Sequence, residues 1–503
     1  LSSLATIPDV STRCPAALDP PQADEVFSPR YPVSGKEKDT MTTRRDFLSH
    51  SAAAAAALAL PRIARAATPQ FVEFKARPAA VQLAPPSYPK TEIWGYGGGM
   101  PGPELRIAQG ARVRRTFLNE LPQASSVHWH GIRIDNAMDG VAGLTQAAVE
   151  PGASFDYDFV APDAGTYWYH AHNRSFEQVA RGLYGALIVE DAEAPDVDRE
   201  EVLILDDWLL DPDTAQIDPD FTSRHDRSHA GRRGNFIATN GKYDLALDVR
   251  QNERLRLRLI NAANARIFVL SLAGMEGWTI ALDGMPLDSV EPLDDVLVLG
   301  PGQRADLIVD VTADPGETAH LVRIEDREGM SQVAFPVSGT ASAARRAPPA
   351  TLPRNPDVQV PDLESAVSVR LNMQGGAMGT LDAAVLNGER KTFRELVDAN
   401  EFWAFNGTIG MTETPLADVA IGQAVKLEVY NDTSFPHAMH LHGMHFREIG
   451  QDGALGPLRD TLLMFGGETR TIGFVADNPG DWLYHCHMLS HAASGMMTWM
   501  RVT

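Results

Sequence analysis

The sequence predicts an all-β chain built from three antiparallel β-sandwich units in series. Three observations predict it. Short strands rich in Val, Leu and Ile alternate with Gly, Pro, Asn and Asp turns. The alternation of strand and helix that builds a parallel sheet is absent. One unit of about 140 residues, the size of a β-sandwich, recurs three times.

The recurrence is visible in "LRIAQGARVRRTFLNELPQASSVHWHG" (105–131), "LDVRQNERLRLRLINAANARIFVLSLA" (247–273) and "ADVAIGQAVKLEVYNDTSFPHAMHLHG" (417–443). Each alternating strand ends on an asparagine: Asn119, Asn261 or Asn431. Nine and eleven residues later stand His128 and His130, Leu270 and Leu272, or His440 and His442. A second repeat follows a glycine at +5 and +7: His170 and His172 after Gly165, Leu321 and Arg323 after Gly316, His485 and His487 after Gly480. The outer units carry histidine pairs and the middle one does not. Breaks at "EDAEAPDVDREE" (190–201) and the Pro/Ala-rich "GTASAARRAPPATLPRNPD" (339–357) divide the chain into units 67–190, 191–338 and 367–503, with a linker at 339–366. One helical patch is expected at "GERKTFRELVDANE" (388–401).

Upstream, "TRRDFL" (43–48), the Ala-rich run 51–60 and Ala64-Arg65-Ala66 read as a twin-arginine export signal. Its apolar run is shorter than the roughly 20 residues a membrane helix needs. The mature chain is expected to start at Ala67, outside the cytoplasm. Met41 directly precedes the signal, so residues 1–40 read as untranslated or mis-assigned sequence. A net charge of −22 argues against nucleic acid and anionic membranes as partners. Of two cysteines, Cys14 falls in the removed segment. Cys486 is then a lone thiol in an oxidising compartment, a liability unless buried or metal-bound.

The histidines say what holds it. Ten of the 15 fall in four clusters: 128/130, 170/172, 437/440/442 and 485/487/491. Residues i and i+2 of a strand share a face, so each His-x-His aims two imidazoles into one space. Eight gathered imidazoles would repel when charged unless a metal takes their lone pairs. In "DWLYHCHMLSHAASGMM" (481–497) the alternation turns Cys486 away from His485 and His487, so the thiolate can bind one metal and its neighbours another. Cys486 with His437, His491 and a weak Met496 is the ligand set of a blue-copper site; the thioether argues against zinc.

"HWHG", "HAH", "HAMHLHG" and "HCHMLSHAASGM" resemble, in order, the four signature segments of the multicopper oxidases, and the resemblance covers nearly all of the mature chain. It implies three cupredoxin-like Greek-key β-sandwich or barrel domains and four coppers. Type 1 copper would be held by Cys486, His437, His491 and axial Met496, and type 2 by His128 and His440. One type 3 copper would take His130, His170 and His487, the other His172, His442 and His485. The middle domain would be a spacer. A reducing substrate would give electrons through an exposed edge of His437 or His491, and Cys486 would pass them to a trinuclear cluster that reduces O2 to water. Asp139 matches the family's acidic residue near that cluster. Ala492 departs from the family, where many bacterial members place a glutamate, so proton delivery there must differ.

The resemblance leads to a laccase-like oxidase of phenols or aromatic amines, with Cu(I) oxidation as the alternative; scattered methionines without a dense cluster lean against the latter. A ligand-free scaffold is disfavoured by the intact ligand positions. A copper nitrite reductase is disfavoured because one chain supplies the whole trinuclear set. The enzyme is expected to be monomeric and to meet the twin-arginine export machinery, with no stable membrane association. Elsewhere ordinary roles are expected: His445 structural, His320 surface or core, His225 and His229 in a solvated loop, Trp168 and Tyr169 in strand core, Met488 and Met497 packing near copper, and 375–401 a connection rather than a lid.

Overall fold

The computed structural model describes residues 70–356 and 358–503; the export signal, its cleavage site and Cys14 lie outside the described residues. Strands dominate and form three successive pairs of sheets. Strands between Val72 and Glu190 make two sheets of four; those between Arg199 and Thr340 make sheets of six and five; those between Val367 and Val502 make sheets of six and five plus a two-stranded ribbon. Among the described residues no helix is long and apolar enough to cross a membrane.

Period-2 patterning drives the pairing. In Gln423–Asp432, Val425, Leu427 and Val429 are buried while Lys426 and Tyr430 face out. In the middle pair, Leu257 and Leu307 from one sheet meet Leu270, Leu321 and Phe335 from the other in one apolar cluster. Leu270 and Leu321 thus belong to the middle core itself. The strand Arg254–Asn261 is buried on both faces. Its arginines survive there because each meets a carboxylate, as Arg254 meets Asp310 (2.6 Å), Arg256 meets Asp306 (2.7 Å) and Arg258 meets Glu200 (2.6 Å). Arg258 also donates to Thr166 Oγ1 at 3.0 Å, tying the middle sheets to the first pair.

The expected antiparallel sandwiches also hold some parallel strand pairs. Each pair of sheets contains parallel neighbours, such as Val72–Val81 beside Arg112–Asn119, Arg199–Trp208 beside Arg254–Asn261, and Val367–Gly375 beside Gln423–Asp432. The connection between such neighbours passes through the other sheet, so the second strand returns running the same way. The three asparagines close each of these crossovers identically. Each is fully buried, and its Oδ1 accepts from the N–H two residues on: Leu121, Ala263 or Thr433. Its Nδ2 donates to a nearby carbonyl, and its own carbonyl accepts from Gly152, Gly302 or Gly467. Buried main-chain groups at a strand end need partners, and one side chain supplies them.

The helical patch at 388–401 is corrected. Ala383–Leu386 and Glu389–Thr392 form a hairpin around Asn387 and Gly388, both at positive φ (52° and 79°). Only Phe393–Asp398 is helical, started by a capping box between Thr392 and Glu395.

Candidate metal centre

Strand register gathers the imidazoles. Val127–His130 pairs with Gly165–Ala171 so that His128 lies opposite His170. His437–Leu441 pairs with Gly480–Cys486 so that His440 lies opposite His485 and Met439 opposite Cys486. The first and third domains then meet face to face. His130 stacks on His440 (centroids 3.7 Å apart), and His128 lies against His442 (4.0 Å). Three triads have nitrogens within 4.8 Å of one another: His128/His130/His440, His130/His170/His487 and His172/His442/His485. All are buried except His172, which is half-buried.

The outer nitrogens are pinned. His128 Nδ1 donates to Asp139 O (2.8 Å), His170 Nδ1 to Ala171 O (3.1 Å), His440 Nδ1 to Asp460 O (3.0 Å) and His485 Nδ1 to Cys486 O (3.0 Å). His442 Nδ1 donates to the Asp139 carboxylate at 3.0 Å. A carbonyl only accepts, so these bonds fix the proton on Nδ1 and leave Nε2 as a lone pair facing inward. Nε2 of His128, His172 and His440 has no hydrogen-bond partner among the described residues. Nε2 of His442 lies 3.1 Å from that of His485, and Nε2 of His170 lies 3.4 Å from that of His487. Protons do not fill these gaps. Burial, reinforced by neighbouring imidazoles, holds His130, His170, His172, His442, His485 and His487 well below the usual histidine range. Neutral lone pairs converging at such distances suit transition-metal cations.

The second constellation lies on the other side of the Cys486 strand. Cys486 Sγ is 3.6 Å from His437 Nδ1 and 3.8 Å from His491 Nδ1, and the two Nδ1 atoms are 3.1 Å apart. Their far nitrogens are again engaged: His437 Nε2 with Thr433 Oγ1 (2.9 Å), His491 Nε2 with His229 O (2.7 Å). Met496 is fully buried beside them, and its carbonyl accepts from Cys486 N–H at 3.1 Å. Burial pushes the Cys486 thiol up to about 12 and the His491 imidazole down to about 4. Sulfur with two neutral imidazoles fits a copper ion, which takes a thiolate by displacing its proton.

Two expectations are corrected here. No edge of His437 or His491 is exposed; both are fully buried. The cover is the loop around His229, which is therefore not simply solvated: His225 is exposed, but His229 is half-buried with its carbonyl engaged. Nor is the middle domain only a spacer. Its fully buried Arg304 grips Asp460, with Nη1 donating to Oδ1 at 2.9 Å and Nη2 lying 2.7 Å from Oδ2. Asp460 Oδ1 is 3.4 Å from both His440 Nδ1 and His130 Nε2. Burial alone would push this carboxyl up; Arg304 and the two imidazoles outweigh it and hold it well below the usual range. Neither Asp460 nor Arg304 is singled out by the sequence reading.

The remaining candidates fall as follows. Asp139 is fully buried and braces His442 and His128. His445 is buried, 3.7 Å from Asp460. His320 is half-buried and bonds Ser331. Tyr169 is core, and Trp168 packs against His170 at 4.3 Å. Met488 is buried, its N–H donating to Cys486 Sγ at 3.4 Å. Gly376 packs on Trp403 and Phe435 next to His437, whereas Leu396 of the short helix packs with Ala404 and Ile409. A cleft of about 690 Å3 reaches His172 and His485, with Ala492 and Met497 on its wall.

Comparison with known proteins agrees with this geometry. Residues 79–194, 199–338 and 387–503 each match the multicopper oxidase family. The chain is 31% identical over 430 residues to multicopper oxidase MmcO of Mycobacterium tuberculosis, covering 80% of this chain and 82% of that one. It is 26% identical to the copper resistance protein A homolog of Pseudomonas syringae pv. tomato, covering 80% and 88%. Among solved structures it resembles a multi-copper oxidase from Pseudomonas thermotolerans (32% identity, TM-score 0.75, 86% of this chain and 99% of that one). It also resembles Lac15 from a marine microbial metagenome (41% identity, TM-score 0.70, 86% and 100%). The three sheet pairs are thus cupredoxin-like domains, and with copper as cofactor, reducing substrates as electron donors and O2 as acceptor, the chain belongs to the multicopper oxidases.

Proposed function

We propose that this multicopper oxidase is a laccase-like enzyme that oxidises phenols and aromatic amines. It holds four coppers in three domains (67–190, 191–338 and 367–503) and works after twin-arginine export, in the periplasm or outside the cell. Type 1 copper falls to Cys486, His437, His491 and Met496, type 2 to His128 and His440, and the type 3 pair to His130, His170 and His487 and to His172, His442 and His485. When bound, copper supplies the one-electron chemistry that links a reducing substrate to O2.

The observation that carries this reading is the two-faced strand at Cys486. Its Sγ lies beside His437 and His491, while the neighbouring His485 faces His442 and His487 faces His170. A few covalent bonds of one strand therefore join the thiol group to the imidazole cluster, a short path for electrons. Asp139 and the pinning carbonyls hold imidazole tautomers so that lone pairs face the cluster. On the His172 side no glutamate occupies position 492, and the cleft there lets water bring protons.

A second reading, oxidation of Cu(I), is favoured by the likeness to a protein named for copper resistance. Paired turnover assays on copper-loaded protein separate the two, one with a substituted phenol and one with Cu(I). Phenol oxidation without added copper supports the laccase-like reading; a phenol rate that vanishes unless extra copper is present supports the second.

A further inference from the structure

Electrons must reach two imidazoles that no solvent touches. The Nδ1 atoms of His437 and His491 face Sγ and each other, and His437 Nε2 is closed off by Thr433. His491 Nε2 alone leads outward, donating to His229 O at 2.7 Å. That carbonyl belongs to a loop of the middle domain fastened onto the third. The Trp403 indole N–H and Ser494 Oγ donate to Arg227 O, Ala377 N–H donates to Ser228 O (2.7 Å), and Arg227 Nη1 donates to Ala493 O (3.2 Å).

On the solvent side, the His225 ring stacks on the His229 ring, centroids 4.3 Å apart and planes 12° apart. Ser228 Oγ holds His229 Nδ1 at 2.9 Å, while the His225 side chain is 76% exposed. His229 meets Phe435 at 5.7 Å, Phe435 meets Trp403 at 5.9 Å, and Trp403 packs on His491 at 4.4 Å. Flat rings therefore run without a break from solvent to the buried imidazoles.

We propose that the His225–His229 stack is the docking platform for an aromatic electron donor, whose ring lies on the exposed face of His225 and whose electron travels through His229 and its carbonyl to His491. This rests on the phenol reading above and adds its binding site. A phenol docked there would lose its O–H proton to bulk water and one electron inward, leaving as a phenoxyl radical; a Cu(II) ion held by Cys486, His437 and His491 would be the one-electron acceptor. A stacked imidazole suits such a donor because it offers a π-face and a polar edge in one rigid group.

The test uses copper-loaded His225→Ala and His229→Ala variants, both of which keep the main-chain carbonyl at 229. Calorimetric titration with dimethoxybenzene, which has the ring but no oxidisable hydroxyl, measures a Kd. Steady-state turnover with dimethoxyphenol as donor measures a KM. Each should rise about three- to tenfold, the worth of one aromatic contact, with kcat falling less than KM rises and the blue absorption kept. Unchanged Kd and KM in both variants would overturn the proposal, as would a KM rise confined to Cu(I). If the unmodified enzyme binds dimethoxybenzene through these residues but oxidises only Cu(I), the phenol reading and the electron path both fail and only aromatic binding at the stack stands. If it oxidises phenol and the variants match it, the platform alone fails.

Discussion

Replacing Arg304 by Met should unsettle the imidazole cluster from a domain that places no imidazole in it among the described residues. The guanidinium makes two contacts with Asp460, at 2.9 and 2.7 Å, and donates from Nε to Thr166 O at 3.2 Å. Removing it leaves the Asp460 carboxylate buried without its cation, which costs about 3–5 kcal/mol. That is a large share of the roughly 5–15 kcal/mol that keeps a domain folded. Arg304→Lys keeps the charge but not the two-pronged grip, and each charged hydrogen bond lost costs about 1.5–3 kcal/mol. Because Asp460 also fixes His440 through its carbonyl, at 3.0 Å, copper affinity at that imidazole should fall about 10- to 100-fold in both variants. The assay is copper per chain after dialysis against a graded chelator, with the paramagnetic type 2 signal followed separately from the blue absorption. The Cys486 group touches neither residue, so its colour reports on folding. A type 2 signal as resistant to chelator in Arg304→Lys as in the parent, with unfolding at the same denaturant concentration in Arg304→Met, would show that Arg304 supports neither the cluster nor the fold.

Three further outcomes are expected. Cys486→Ser should lose the intense blue absorption and donor oxidation while keeping most copper in the imidazole cluster; a variant that stays blue rules out the sulfur assignment. Gly302→Ala places a Cβ 2.9 Å from His487 Cγ and 3.1 Å from His130 Cε1, on backbone at φ 83°. The left-handed conformation alone costs about 1–2 kcal/mol, so copper retention should drop, and full retention would show that this wall is soft. The copper-free protein should lose stability as pH falls. His491 is held at about 4 by burial, whereas the unfolded chain titrates near 6.5 and so binds the proton first. Its contribution is complete above pH 6.5 and declines towards pH 4, by about 2 kcal/mol between pH 6.5 and 5. Urea unfolding of copper-free protein at pH 7 and 5 checks this; equal or greater stability at pH 5 contradicts it.

Much of this was legible in the residues. The His-x-His pairs announce themselves because strand alternation turns a spacing of two into a shared face, and the lone Cys486 gains meaning from its neighbours. The three asparagines mark turns that the structure builds identically. The hairpin at Asn387-Gly388 and the capping box at Thr392 and Glu395 carried readable signals, and the helical reading of 388–401 overran both. An Asn-Gly pair between short alternating runs, then Thr-x-x-Glu, describes what forms there.

What stayed illegible was the support of the clustered imidazoles, and the reason is physical. His128, His170, His440, His485 and His491 are pinned by the carbonyls of Asp139, Ala171, Asp460, Cys486 and His229. A carbonyl belongs to every residue, so the side chain at 229 gives no sign that its backbone holds His491. Asp460 and Arg304 are different: their side chains matter, but they meet only when the second and third domains close, across 156 residues of chain. The middle unit lost its histidines, and by local pattern it looked inert. Its loops nonetheless wall both sites, because a domain wedged between two others must touch whatever they build at their junction. Arg304 and His229 make that wall specific, one by neutralising a carboxylate beside His440 and the other by covering His491.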